Sequence, residues 1–182
     1  MAPINRRRFL KTAGVTLGAP TFIGVGAARK SGEPPANAPQ QRVGGFGKHE
    51  VPAGHWLVNS LTYNAFVRCY DDESEVLAVL DQFLDRVTLK VIIDGEPVEN
   101  TDEYWGEPYT GEIGGEETYH LGWQYAEPPK PVGAEYDIEM SLSFDPPFVM
   151  SGPQETPDGE CVEQEMTFMQ VPPGSVTIVD RR

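Results

Sequence analysis

Residues 134–144 read AEYDIEMSLSF and alternate strictly between apolar and polar side chains. The apolar side chains share one parity: Ala134, Tyr136, Ile138, Met140, Leu142 and Phe144. Because successive side chains of a β-strand point to opposite faces, this pattern predicts a strand with one face on a core and the other in water, as in antiparallel sheets. Asp145-Pro146-Pro147 follows and predicts the end of the strand.

The rest of the chain carries the same β pattern in shorter pieces. Alternation predicts one long strand or two short ones over residues 55–70, and further strands over 87–93, 119–125, 161–171 and 175–179. Asp94-Gly95 is a hairpin signal directly after residues 87–93. Residues 96–115 are polar and contain several Gly and Pro residues, which predicts a long loop with at most a short strand in it.

One segment, residues 71–84, has helical periodicity instead. Asp72 or Ser74 can cap this helix, and Glu73 and Glu75 suit its first turn because a helix N-terminus is partly positive. Its apolar side chains recur at helical spacing: Val76, Leu77, Leu80, Phe83 and Leu84. The stripe predicts a helix that packs one face on the core.

Short strands with Pro and Gly turns, together with a single helix, indicate a β-sandwich. The motifs DGEP at 94–97, YWG at 104–106 and WQY at 123–125, followed by Gly133 and Tyr136, resemble extracellular immunoglobulin-like modules of uncharacterised function over roughly residues 50–180. The resemblance implies a mainly β fold, an antiparallel immunoglobulin-like β-sandwich with one short helix inserted after the first strands. It carries over no catalytic residue, and the Cys…Trp…Cys core of a true immunoglobulin domain is not recognisable.

The N-terminus has the form of an export signal. Residues 5–11 read NRRRFLK and match the twin-arginine export motif through Arg6, Arg7, Phe9, Leu10 and Lys11, with Asn5 where Ser or Thr is usual. A weakly apolar, Gly-interrupted run continues to Ala28 and suits a signal peptide better than a spanning helix, which usually has ~20 consecutive apolar residues. The motif implies export of a folded protein by the twin-arginine translocase, with cleavage at Ala28. The alternative is an uncleaved N-terminal anchor.

These features divide the chain into three parts: residues 1–28 as signal peptide, 29–47 as flexible linker and 48–182 as the β-sandwich domain. The linker is predicted because Gly and Pro dominate it and apolar residues are few. No second apolar segment follows, so the domain is not expected to span a membrane. The predicted location is extracellular or at the cell surface.

Charge narrows the choice of partners. The 182-residue chain has a formal net charge of −14, and residues 1–28 contribute only basic charges. A field this negative should repel nucleic acid, so we expect no nucleic-acid partner. Many acids with few lysines, together with the twin-arginine signal, resemble secreted proteins of halophilic archaea, in which salt screens such self-repulsion.

Cys69 and Cys161 are the only cysteines. An exported protein can keep a disulfide, which makes this pair a candidate bond. Parity argues against it, because Cys69 lies with apolar residues whereas Cys161 shares its parity with Glu163 and Glu165. A bulge or a strand-end position would remove the objection. The alternative is one buried and one exposed thiol.

The sequence favours neither a metal site nor catalysis. His49, His55 and His120 are the only histidines and match no zinc spacing. Carboxylates crowd two stretches, residues 71–75 and 99–117, where calcium could bind or a pair could hydrolyse a glycosidic bond. In so acidic a chain, a solvated surface explains both stretches. We therefore predict no metal, no cofactor and no enzymatic activity.

Aromatic side chains are the strongest candidates for binding. Tyr104, Trp105 and Tyr109 lie in a polar, Gly-rich stretch, where large apolar side chains are unusual unless they pack on the core or bind a partner. They could close one end of the sandwich, or they could bind a partner protein or a glycan. The predicted function is a non-catalytic partner-binding or structural role in the cell envelope. The alternatives are a carbohydrate- or calcium-binding module and a small hydrolase using loop carboxylates.

Overall fold

The structure, a computed structural model, describes residues 34–44, 46–153 and 159–180. Within these ranges the chain forms nine strands and one α-helix: β1 Gln40–Gly44, β2 Gly47–Pro52, β3 Trp56–Phe66, α1 Glu73–Arg86, β4 Val87–Ile93, β5 Glu96–Pro97, β6 Tyr109–Ile113, β7 Glu116–Glu127, β8 Glu135–Pro153 and β9 Cys161–Val179. Short 3-10 helices lie at Val67–Cys69 and Thr101–Tyr104. The prediction of a mainly β chain with one helix after the first strands is confirmed.

The strands form two sheets, with the orders β1-β3-β7-β6 and β2-β9-β8-β4-β5. Most neighbours are antiparallel, but β1 pairs with β3 and β2 pairs with β9 in parallel. Both sheets are therefore mixed, and the prediction of antiparallel sheets is wrong at these two edges. The cause is the chain path, because β2 lies between β1 and β3 in sequence yet belongs to the other sheet.

The predicted strand at residues 134–144 is the first half of β8. Its apolar parity is buried, as the alternation predicted. The predicted stop at Asp145-Pro146-Pro147 is wrong, since β8 continues to Pro153. The prolines are tolerated because they lie in an irregular part of the ladder, where residues 144–147 of β8 lie opposite Thr167 alone in β9.

Part of the predicted linker belongs to the domain. Within residues 29–47, β1 spans Gln40–Gly44 and β2 begins at Gly47. The side chain of Val43 is fully buried, and β1 pairs along β3 from Trp56 to Ser60. One buried apolar residue and a paired edge are enough to order this stretch, although its composition is typical of a linker.

The predicted loop at residues 96–115 also contains more structure than expected, namely β5, a 3-10 helix and β6. The hairpin signal that precedes it is confirmed. Asp94 and Gly95 both have positive φ, at 54° and 79°, and they connect Ile93 to Glu96 in an antiparallel pair.

Helix α1 begins two residues later than predicted and continues to Arg86. Asp72 is its N-cap and accepts a hydrogen bond from the Glu75 amide at 3.0 Å. Val76, Leu80 and Phe83 form its buried face.

Among the described residues, one hydrophobic core takes side chains from both sheets and from α1. Trp123 of β7 is fully buried, and its indole Nε1 donates a hydrogen bond to the Thr101 carbonyl at 2.7 Å. The Phe83 ring of α1 stacks on Tyr63 of β3 with a centroid distance of 4.4 Å, and it meets Phe148 of β8 edge-on at 5.5 Å. The helix therefore bridges the two sheets through aromatic contacts.

Candidate functional site

The second half of β8 and the first half of β9 form a two-stranded ribbon. We define the ribbon as Phe148–Pro153 paired antiparallel with Cys161–Met166. The neighbours of these strands do not reach it, because β4 pairs with β8 only as far as Phe144, and β2 pairs with β9 only from Gly174. In the described parts of the chain, the ribbon is thus a two-stranded extension of the five-stranded sheet.

Three consecutive residues after β3 hold this ribbon, and we call them the ribbon anchor: Arg68, Cys69 and Tyr70. Cys69 forms a disulfide with Cys161, with 5.4 Å between the Cα atoms. The Tyr70 hydroxyl donates to the Ser151 carbonyl at 3.0 Å and lies 3.2 Å from the Ser151 amide, which donates to it. Both strands of the ribbon are therefore fixed to the segment that follows β3, one covalently and the other by hydrogen bonds.

Arg68 adds a third contact at the ribbon tip. Its Nη1 donates to the Gly159 carbonyl at 2.7 Å, and its Nε lies 3.3 Å from a carboxylate oxygen of Glu116. The Arg68–Glu116 pair is largely exposed and contributes little to stability. Burial raises the pKa of the Tyr70 hydroxyl, so this group remains a neutral donor and acceptor near neutral pH.

The position of Cys161 answers the parity objection to the disulfide. Cys161 is the first residue of β9, at a strand end where the alternation of faces no longer dictates its direction. Cys69 is the last residue of the 3-10 helix at Val67–Cys69. The bond therefore joins two element ends.

Beyond the anchor, β9 presents an open side. No described strand pairs with residues 161–173 on the side away from β8, and we call the Glu163–Gln170 part of that side the free edge. Apolar side chains are exposed on it and beside it: Phe168 at 61%, Met169 at 39% and Val149 of β8 at 42%. An open strand edge next to exposed apolar side chains is a typical site for pairing with another chain.

Sequence reasoning did not single out Phe168 and Met169. A signal was present, because two adjacent apolar residues break the alternation of a half-buried strand. Which side of β9 stays open, however, depends on where β2 begins to pair.

The three predicted binding aromatics lie in different surroundings. Tyr104 packs edge-on against Tyr125 at 5.2 Å, and Trp105 meets Phe83 edge-on at 5.3 Å; both rings pack against the core. Tyr109, on β6, stacks on the His120 ring at 4.9 Å. All three are half-buried. Tyr104 and Trp105 thus contact the core, and each ring keeps part of its surface exposed.

A shallow cleft of about 320 Å³ lies beside Trp105, between the end of α1, the start of β4 and the 3-10 helix at Thr101–Tyr104. Its lining includes two exposed carboxylates, Asp85 and Asp102. The Thr101 hydroxyl donates to the Leu89 carbonyl at 2.5 Å and ties the 3-10 helix to β4 below the cleft.

His120 lies in a polar cluster on the four-stranded sheet. Its Nδ1 is 2.7 Å from Asn64 Oδ1, and its Nε2 is 2.9 Å from the hydroxyl of Thr118. Burial lowers the pKa of His120, which favours the neutral ring. With both ring nitrogens hydrogen-bonded inside the sheet, this imidazole serves packing. Among the described residues, no group of three or more His, Cys, Asp or Glu side chains is arranged to hold a metal ion.

The acidic side chains of residues 71–75 make hydrogen bonds around the N-terminus of α1. Besides the Asp72 cap, the Glu75 carboxylate accepts from the Asp71 amide at 2.7 Å, and the Tyr119 hydroxyl donates to the Glu73 carboxylate. Burial and this hydrogen bond raise the pKa of Tyr119 to about 12. In the second stretch, Glu99, Asp102, Glu103 and Glu107 are exposed.

The predicted export residues lie outside the described residues, namely Arg6, Arg7, Phe9, Leu10, Lys11 and the cleavage position Ala28. Of the part that the structure describes, α1 is too short and too polar to cross a membrane, and no other helix there qualifies.

Comparison with known proteins finds no match for this chain among family models, curated proteins or solved structures.

Proposed function

We propose that this chain is an exported, non-catalytic protein of the cell envelope that binds a partner protein through the free edge. The observation that carries the proposal is the exposure of Phe168 and Met169 on a strand side that no described strand covers. Burying such side chains against a partner supplies ~25 cal/mol per Å² of apolar surface removed from water. A partner-bound state accounts for the exposure of Phe168 and Met169 on an uncovered strand, beside the exposed Glu163 and Glu165.

The ribbon anchor supports the same proposal. A surface that is ordered before binding loses less conformational freedom when the partner docks. The disulfide and the Tyr70–Ser151 hydrogen bonds hold the ribbon to the body of the domain. We infer that the anchor presents the ribbon as a rigid element, on a fold that we propose to be an immunoglobulin-like β-sandwich with parallel edge strands.

Two further features support export. Disulfides persist in oxidising compartments and are rare in the cytosol, which suits the disulfide of Cys69 and Cys161. The twin-arginine motif at residues 5–11 supplies a route for export.

Replacing Arg6 and Arg7 together by Lys, which keeps the charge, should leave the protein inside the cell. Secretion of that variant at the normal level would contradict export by this pathway.

Site-specific photo-cross-linking tests the partner proposal. A photoreactive residue at position 168 should join the protein to one identifiable envelope protein in the native cells. Val132 gives a matched control, because it is 57% exposed but lies in the turn between β7 and β8. The purified partner should then bind the wild type at least about tenfold more tightly than Phe168→Ser, with Val132→Ser unchanged. Equal cross-linking at both positions, or full affinity of Phe168→Ser, would overturn the proposal.

A further inference from the structure

The backbone of the free edge is suited to continuous pairing. β9 runs as one strand from Cys161 to Val179. Its ladder with β8 has two irregularities: residues 144–147 of β8 bulge opposite Thr167, and Pro172 and Pro173 of β9 lie opposite Glu139. Proteins often blunt an edge strand by placing a bulge or a proline in it. Within Glu163–Gln170 the bulge lies on β8, and the irregularity of β9 at Pro172 and Pro173 lies beyond Gln170. The free edge therefore offers backbone donors and acceptors over about 26 Å, at ~3.3 Å per residue.

The charge around the free edge has one sign. Glu160, Glu163 and Glu165 are exposed at or beside it. Neither β8 nor β9 contains a Lys or Arg residue. Basic side chains on an added strand would lie close to Glu163 and Glu165, and opposite charges stabilise a cross-strand pair by roughly 0.2–1 kcal/mol each.

The same charge disfavours two copies of this chain as partners. Edge-to-edge pairing of two β9 strands would bring two sets of Glu163 and Glu165 into one sheet. It would also join two chains that each have a formal net charge of −14. A basic segment has the opposite sign, and apolar side chains on it could cover Phe168 and Met169.

From these observations we propose that the free edge binds an extended segment of another protein by strand addition, and that this segment combines basic and apolar side chains. The inference rests on the proposed partner-binding function and specifies the chemistry of the partner. Backbone hydrogen bonds along Glu163–Gln170 supply the register. Contacts with the glutamates and with Phe168 select the sequence, as in other cases of β-strand addition.

Fluorescence anisotropy with synthetic peptides tests both parts of the inference on the full-length protein. The probe is a capped, labelled peptide of alternating Lys and Val, long enough to span Glu163–Gln170. Two further probes separate the contributions: the same peptide with its central backbone nitrogens methylated, and a peptide of alternating Glu and Val. We expect the Lys/Val peptide to bind at least about tenfold more tightly than either of the others.

Matched variants locate the binding on the protein. Glu163→Gln combined with Glu165→Gln should weaken binding of the Lys/Val peptide about tenfold. Glu135→Gln combined with Glu139→Gln makes the same charge change at two exposed positions of β8, a strand with neighbours on both sides, and should leave binding unchanged. Thermal unfolding of both double variants checks that each one is folded.

Each contrary outcome overturns a defined part. If the methylated peptide binds as tightly as the Lys/Val peptide, backbone hydrogen bonds do not contribute to binding. Charge attraction then explains the binding, and strand addition is ruled out. Equal binding of the Glu/Val peptide would rule out the basic partner. A dimer in sedimentation equilibrium that dissociates on Phe168→Ser would make a second copy of this chain the occupant of the free edge. If position 168 cross-links to a partner but no peptide binds, the inference fails and the proposed function stands. If position 168 cross-links to no partner and no peptide binds, both the proposed function and the inference fail.

Discussion

Cys69 and Cys161 are 92 positions apart in the sequence, and their Cα atoms lie 5.4 Å apart in a disulfide that joins the 3-10 helix after β3 to the start of β9. In the chain-entropy model, closing a loop of this length stabilises the folded state by about 4–5 kcal/mol. We therefore expect Cys69→Ser combined with Cys161→Ser to lower the free energy of unfolding by up to that amount. Urea denaturation of the wild type, with and without reductant, provides the comparison. Unchanged stability after complete reduction would show that the bond does not constrain the unfolded chain.

Trp105 should act as a packing residue, because its ring meets Phe83 edge-on and its backbone bridges to Trp123. Replacing this half-buried ring by Ala should cost about 2 kcal/mol, below the 3–5 kcal/mol that is typical of a fully buried Trp. Tyr109→Ala is the control, since that ring stacks on His120 at the edge strand β6, and it should cost less. If Trp105→Ala leaves stability intact and removes a binding activity, the surface role considered from sequence is correct.

Gly111 and Gly122 make a matched pair on adjacent strands. A Cβ at Gly111 would lie 2.5 Å from Nε2 and 2.9 Å from Cδ2 of His120, whose ring is held by hydrogen bonds to Asn64 and Thr118. A Cβ at Gly122 would meet nothing within 4 Å. Gly111→Ala should therefore lower the free energy of unfolding by about 1–3 kcal/mol, the range that is typical of overpacking. Gly122→Ala should lower the free energy of unfolding by clearly less than Gly111→Ala, because its Cβ would meet no atom within 4 Å. Equal effects in thermal unfolding would show that the His120 ring moves freely.

The stability of the fold should fall below pH 6.5, in part because of His120. Burial lowers the pKa of this imidazole from 6.5, so between 6.5 and the lower folded-state pKa the unfolded chain binds more protons than the native one. Stability therefore rises with pH across that window and is lost as the pH falls through it. His120→Gln should reduce this slope relative to the wild type in denaturation at fixed salt. The same slope in both proteins would mean that His120 does not contribute.

The periodicity of the sequence correctly predicted those features that depend on residues close together in the chain. The buried face of β8, the stripe and cap of α1, and the Asp94-Gly95 turn all follow from spacing and turn chemistry within a few residues. The extension of β8 past Pro146 was missed, because the bulge that accommodates the prolines depends on the register with β9. The order in β1 was missed for a similar reason, since its pairing partner β3 begins twelve residues after β1 ends.

The candidate site was harder to predict than the fold. The aromatic residues that stand out in the sequence, Tyr104 and Trp105, pack against the core in the structure. At the free edge the sequence signal is limited to the adjacent apolar pair Phe168 and Met169, because exposure there results from the point at which β2 begins to cover β9, at Gly174. Strand direction was likewise invisible, since alternation reports the buried face and not the direction of pairing.

Hydrogen–deuterium exchange of the β9 amides tests the central claim most directly, namely that the free edge is open and takes up an added strand. In the protein alone, amides that point outward from Glu163–Gln170 should exchange fast, while those of the β4–β8 pairing exchange slowly. The Lys/Val peptide should slow exchange along the free edge and leave the β3–β7 pairing unchanged. Slow exchange at this edge in the isolated monomer, or no change on adding the peptide at saturating concentration, would contradict the claim.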